Sequence, residues 1–218
     1  MLKFGDWVNR KRHNRGFGIQ SPSAFFFITQ VLKEKLPYYS YREIDKAAEE
    51  YGRRAHTIDC RELFRITNYL HPHNCIAVGA PLAACAMATA RPRAEQLLIT
   101  EGEDIPPHTK STLGRCGCRE LAGNAQELLV QAAEELGNIG MLFVGSDKAC
   151  DTLLQKALEH TNSKSVIIVE GIHRNQDTLR CWNSLVADNR TVITYDMYSY
   201  GMLFFDKERK KQHYKLKR

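Results

Sequence analysis

Thr191-Val192-Ile193-Thr194-Tyr195-Asp196-Met197-Tyr198-Ser199-Tyr200-Gly201-Met202-Leu203-Phe204-Phe205-Asp206 holds two β-compatible runs, 191–197 and 202–206, with only Tyr198-Ser199-Tyr200-Gly201 between them. A parallel crossover needs a dozen or more residues, so these strands must pair as an antiparallel hairpin. Upstream, apolar runs at 75–79, 96–100, 118–122, 140–145 and 165–170 alternate with segments of helical periodicity, which is a βαβ pattern. Val166-Ile167-Ile168-Val169 is apolar without alternation, as expected for a strand covered on both faces. The expected fold is therefore α/β: a doubly wound, seven-stranded, mostly parallel Rossmann-like sheet with an antiparallel last strand, preceded by N-terminal helices.

The helical segments carry their own punctuation. Ser21-Pro22 supplies an N-cap and a proline at the first helical position. Phe25, Ile28, Leu32 and Leu36 then recur at helical spacing up to Pro37, which predicts about four turns. Asp59 and Glu62 read as N-cap and third helical residue, before Leu63, Ile66 and Leu70 repeat up to Pro72. Between these, residues 44–51 are a further helical stretch. After Asn124, Leu128, Leu129, Ala132, Ala133 and Leu136 form one face that stops at Gly137. Cys150, Leu153, Leu154, Ala157 and Leu158, and then Leu179, Trp182, Leu185 and Val186, form stripes that read as core. The organisation expected is a helical extension over 1–70 and an α/β domain with a basic C-terminal tail over 71–218, forming one compact unit. Phe25-Phe26-Phe27 and Tyr38-Tyr39 are expected to pack the extension onto that domain.

The 218 residues leave room for one domain with an appendage. The composition, 43% apolar and 26% charged, is that of an ordinary globular protein. The weakly apolar run over 75–90 is too short for a membrane helix and contains Gly79 and Pro81, so no membrane association is expected. No apolar h-region follows the N-terminal charges, and a cytoplasmic location is expected. The seven cysteines then read as free thiols, with Cys116-Gly117-Cys118 lacking a second ligand pair for zinc. The 31 basic residues exceed the 25 acidic ones by six and cluster at 10–15 and 207–218. Such runs could attract phosphates but read first as solvated ends, so nucleic acid is not an expected partner.

Several segments together carry a resemblance: Gly18-Ile19-Gln20-Ser21-Pro22, Leu98-Ile99-Thr100-Glu101-Gly102, Gly171-Ile172-His173, Asp196, and Gly201-Met202-Leu203-Phe204-Phe205. From about Phe17 to the end the chain resembles class I S-adenosylmethionine (SAM)-dependent methyltransferases, specifically a bacterial O-methyltransferase-like group with a helical N-terminal extension. The resemblance implies a ligand outside the carboxyl ends of the strands. It implies a glycine-rich turn for the methionine part of SAM, read here as Ala77-Val78-Gly79-Ala80-Pro81-Leu82-Ala83, with Gly79 and Ala80 as the cofactor-facing residues. Ala77 replaces the family's acid and Pro81 removes a backbone donor. An ammonium left without its partner costs about 1–3 kcal/mol, roughly ten- to hundredfold in affinity, so cofactor binding is expected to be weakened or lost.

By the same resemblance Glu101 would accept the ribose hydroxyls, and Gly123-Asn124 would meet the adenine. Glu101 also reads as a solvated loop residue beside Glu103 and Asp104. Asn124 reads equally as an N-cap, with Glu127 completing a capping box. The divalent metal of catechol-type relatives is not expected, because Gly145 and Glu170-Gly171 stand where three oxygen ligands would be. Asp147 reads as a cap for the following helix. His173 is the candidate catalytic base, against a packing role at the next helix. His71 and His73 precede the first strand and so belong to the opposite end of the sheet.

The resemblance implies SAM-dependent methyl transfer to a small-molecule acceptor, with SAM as cofactor and a homodimer as the expected assembly. The alternative is a catalytically degenerate methyltransferase-fold protein serving as a binding or assembly module. It is carried by the losses at 77, 81, 83, 145 and 171. Nucleic-acid binding through the basic ends is a third reading, carried by charge alone.

Overall fold

The computed structural model describes residues 19–52 and 58–216; Gly18, the basic cluster at 10–15 and the last two residues lie outside them. The elements are helix α1 (Pro22–Phe26, continued as a π-helix over Phe27–Val31), α2 (Tyr41–Tyr51), α3 (Cys60–Leu70), β1 (Asn74–Val78), α4 (Pro81–Ala90), β2 (Glu95–Thr100), α5 (Pro107–Arg115), β3 (Arg119–Ala122), α6 (Ala125–Glu135), β4 (Ile139–Val144), α7 (Asp151–Glu159), β5 (Thr161–Glu170), α8 (Gln176–Ala187), β6 (Ile193–Asp196), β7 (Tyr200–Phe204) and β8 (Gln212–Lys215).

The strands form one sheet in the order β3-β2-β1-β4-β5-β7-β6-β8. β7 runs antiparallel to both β5 and β6, with Gly201 opposite Val169 and Asp196, so the predicted hairpin forms. The strand count is corrected from seven to eight. Gln212–Lys215, within the stretch read as a basic tail, pairs parallel with β6 at the edge of the sheet. There Tyr214 is buried while Lys215 is exposed, the period-2 pattern of a half-covered edge strand.

Each face of the sheet has its own core. In β1, Cys75 and Ala77 pack with α3 and α4, whereas Ile76 and Val78 pack with α6 and α7. In β4, Met141 and Phe143 face the first side, and Leu142 and Val144 the second. Alternation therefore persists inside strands buried on both faces, where hydropathy alone cannot reveal it.

The N-terminal helices differ from their predicted form. Ser21 caps α1 through Ala24 N, but the helix widens to a π turn at Phe27 and ends at Val31, short of Pro37. Thr29 Oγ1 donates to Phe25 O at 2.8 Å, a side-chain bond of the kind that bends helices. The buried Arg65 guanidinium of α3 takes the exit carbonyls, donating to Val31 O at 3.1 Å and Leu32 O at 3.0 Å. Asp59 caps α3 through Arg61 N as expected, but Glu62 closes no capping box; it turns inward to the Tyr200 hydroxyl. Phe27 and Tyr38 pack inward, whereas Phe25, Phe26 and Tyr39 are exposed. The stripes of α6, α7 and α8 lie in or against the core, except that Cys150 is exposed and precedes α7, and Leu179 at the start of α8 is half-buried outside it.

Candidate active site

The carboxyl ends of β1, β2, β3, β4, β5 and β6 lie along one edge of the sheet, and every predicted site residue is on that edge. Gly79 leaves β1 with φ +61°, and its N–H donates to Ile99 O at 2.9 Å. A Cβ there would stand 2.5 Å from Lys148 Cγ and 3.3 Å from Glu103 Oε1, so glycine serves both the backbone and the close approach of a neighbouring side chain. Ala80 is the N-cap residue of α4 and offers no side-chain cap. Pro81 occupies the first turn of α4, where its missing N–H breaks no intrahelical bond. Ala77 is buried between Leu98 of β2 and Phe143 of β4.

Lys148, from the loop after β4, lies across this turn. Its ammonium stands 2.7 Å from Glu101 Oε2 and 2.9 Å from Glu103 Oε1. Glu101 Oε1 accepts the Ala125 N–H at 2.7 Å, so the carboxylate also anchors the start of α6. The Lys148 hydrogen bond, followed by that N–H, holds the Glu101 carboxyl below the usual range. Burial opposes ionisation of Glu103, but Lys148 and the Glu101 N–H outweigh it and lower its pKa as well. The two carboxylates in turn raise Lys148.

Asn124 takes the capping role, its Oδ1 accepting from Gln126 N at 3.0 Å and Glu127 N at 3.1 Å. Glu127 contributes its backbone to this cap, in place of the predicted side-chain bond. Gly123 N donates to Thr100 O at 2.9 Å, tying the loop after β3 to β2. Asp147 does not cap α7, whose N-cap is Cys150; it pairs instead with Arg174.

A cavity of about 170 Å³ runs from Gly79 and Pro81 past Phe143 to Glu170. It is smaller than the ~300–1,000 Å³ of small-molecule sites, and Lys148 is the side chain packed against its glycine turn. Gly145 stands at the position where the resemblance would place the first metal-binding acid. A Cβ there would approach Gly79 O to 2.8 Å, so the close crossing of the two loops leaves no room for a carboxylate. Among the described residues no cluster of three or more His, Cys, Asp or Glu is arranged to hold a metal, nor is any helix long and apolar enough to cross a membrane.

His173 lies in the turn after β5. Its Nε2 is 2.9 Å from Oδ2 of Asp196, whose side chain is only 2% exposed and whose other oxygen accepts Tyr198 N at 2.8 Å. The imidazole stacks on Tyr198 with centroids 4.9 Å apart. Because a carboxylate accepts, Nε2 carries the proton, and in the neutral tautomer of this ring it is Nδ1 that presents the lone pair. Asp196 as partner was not read from the sequence, although its place at the carboxyl end of β6 puts it on the same edge. No comparable signal marks Lys148. His71 and His73 are exposed at the opposite edge, as expected.

No protein-family model matches the sequence, and no curated protein matches it. Solved structures do. An O-methyltransferase from Bacillus cereus in complex with S-adenosylhomocysteine (SAH) superposes with TM-score 0.60 at 15% identity, over 82% of this chain and 95% of that one. The tomaymycin-synthesis O-methyltransferase of Streptomyces achromogenes, in complex with SAM, gives 0.58 at 14%, over 83% and 94%. An SAH-bound methyltransferase from Podospora anserina gives 0.60 at 12%, over 94% and 98%. The chain has the class I SAM-dependent O-methyltransferase-like fold.

Proposed function

We propose that this protein is a SAM-dependent methyltransferase acting on a small-molecule acceptor, and that its cofactor cleft opens when Lys148 withdraws from Glu101. The observation that carries this reading is the Glu101 carboxylate, held at the end of β2 by the Ala125 N–H and paired with the Lys148 ammonium. Once released, Glu101 would accept the ribose hydroxyls. Gly79 and Ala80 would face the amino-acid half, and Gly123 and Asn124 would border the adenine. When bound, SAM supplies an electrophilic methyl group. His173 Nδ1 would take the proton from the acceptor hydroxyl or amine, and Asp196 would stabilise the imidazolium that forms. The helices before residue 71 are proposed as an extension packed on the α/β domain, and a homodimer as the assembly.

A degenerate scaffold is the second reading. It is favoured by Lys148 lying where ligand would approach the turn and by Ala77 in place of an acid. Calorimetric titration with SAM and SAH separates the two. Binding by the parent that Glu101→Ala abolishes supports the enzyme. Absence of heat in both the parent and Lys148→Ala at millimolar ligand leaves the scaffold.

A further inference from the structure

We propose that the chain binds a planar aromatic anion in a second cavity, at the amino-terminal edge of the sheet and away from the Gly79 turn. This cavity, of about 480 Å³, lies between the π-helical segment, the end of α3 and the ends of β5, β6 and β7 that face away from the catalytic edge. That is within the size range of small-molecule sites.

One wall is aromatic and continuous. Phe27 meets Tyr195 at 5.3 Å, Tyr69 at 5.8 Å and Phe204 at 5.9 Å, and Tyr195 meets Phe204 at 5.6 Å between centroids. Such a wall selects a flat apolar body by stacking. Phe27 opens the π-helical turn, a rare local geometry that recurs at functional sites. Tyr195 is 4% exposed and lines the same cavity, and its hydroxyl makes no hydrogen bond among the described residues.

The rim carries the opposite character. Lys164 is exposed on β5, and its ammonium makes no ion pair among the described residues. Arg209 bonds Asp206 Oδ2 at 2.9 Å and Ser23 Oγ at 2.5 Å, which among the described residues uses two of its five donors. His71 Nδ1 lies 2.9 Å from Arg91 Nη1 and accepts from it. Two cations thus face one acid, Asp206, at the mouth of an aromatic wall. A cationic ligand would be repelled, and an aromatic carboxylate or sulfonate satisfies both surfaces.

The test is calorimetry of the full chain with 2-naphthoate and with its neutral isostere 2-naphthalenemethanol. Naphthoate should bind saturably and the isostere about tenfold more weakly or worse. Lys164→Glu should weaken naphthoate by about threefold to tenfold, while Lys110→Glu on α5 leaves it unchanged. Amide shifts on naphthoate addition should map to 69–73, 163–166 and 204–209. Equal affinity for both probes, indifference to Lys164→Glu, shifts centred on the Gly79 turn, or no heat at millimolar naphthoate would each overturn the proposal.

Discussion

The Lys148 ammonium bridges Glu101 and Glu103, at 2.7 and 2.9 Å, while its own methylenes pack where a Cβ on Gly79 would be. On the proposed reading, one side chain therefore neutralises the carboxylate that would accept the ribose and covers the turn that would face the amino-acid half of the ligand. A ligand bound in that way would have to displace it, and the lost ion pair would be subtracted from the binding free energy. The pair is partly exposed, and such pairs contribute about 0.2–1 kcal/mol. Lys148→Ala should tighten SAH binding by about two- to fivefold in calorimetry. Weaker binding in the variant would mean that Lys148 holds the ligand.

The same triad sets a pH dependence. Glu101 and Glu103 have folded pKa values below the ordinary 4.5, so their stabilisation is complete above 4.5 and lost as pH falls through the depressed values. Lys148 is raised above 10.5, so its share is complete below 10.5 and lost as pH rises through the raised value. The parent's melting temperature should therefore fall more steeply below pH 4.5 than that of Lys148→Ala. Parallel profiles would show that the triad is thermodynamically silent.

Asp196 is expected to fix the tautomer of His173. In ¹⁵N spectra near neutral pH the neutral ring should be protonated at Nε2, and Asp196→Asn should relax that preference. If methyl transfer is found, removing a general base of this kind costs about 10²–10⁴ in rate, which His173→Ala would display. An Nδ1-protonated ring in the parent would exclude His173 as the base drawn above.

Thiol reactivity should sort by burial. Cys75, Cys85 and Cys118 are pushed up to about 12 and Cys181 to about 11, chiefly by desolvation, whereas Cys150 is exposed. The thiolate is the reactive form. At pH 8 a chromogenic disulfide should label Cys150 first, and Cys75 and Cys85 only after denaturation. Rapid labelling of Cys75 would mean that β1 is not buried on both faces.

How much of this was legible in sequence depends on range. The first seven strands were readable because β1, β4 and β5 are apolar without interruption and the β6–β7 linker is too short for a crossover. β8 was not, because in Gln212-His213-Tyr214-Lys215 the net charge masks the alternation, and one buried tyrosine is a weak signal. Of the two readings open for Asn124, the cap was the legible one because caps act over two or three residues. Lys148 and Glu101 are 47 positions apart, and only the crossing of the loops after β1 and β4 brings them together.

Glu62 is the sharpest case of a local rule overridden by tertiary structure. Its spacing from Asp59 suits a capping box, yet the carboxylate is buried on the hydroxyl of Tyr200, itself fully buried at the start of β7. This contact joins the helical extension to the strand next to β5, so its loss should be felt by the whole fold. Removing one member of a buried polar pair costs about 1–3 kcal/mol, and a coupled pair shows non-additivity. Tyr200→Phe and Glu62→Gln should each lower stability by that amount in urea unfolding, and the double variant by clearly less than the sum. Additive losses would mean that the two groups are stabilised independently, and that α3 is held to the sheet by apolar packing alone.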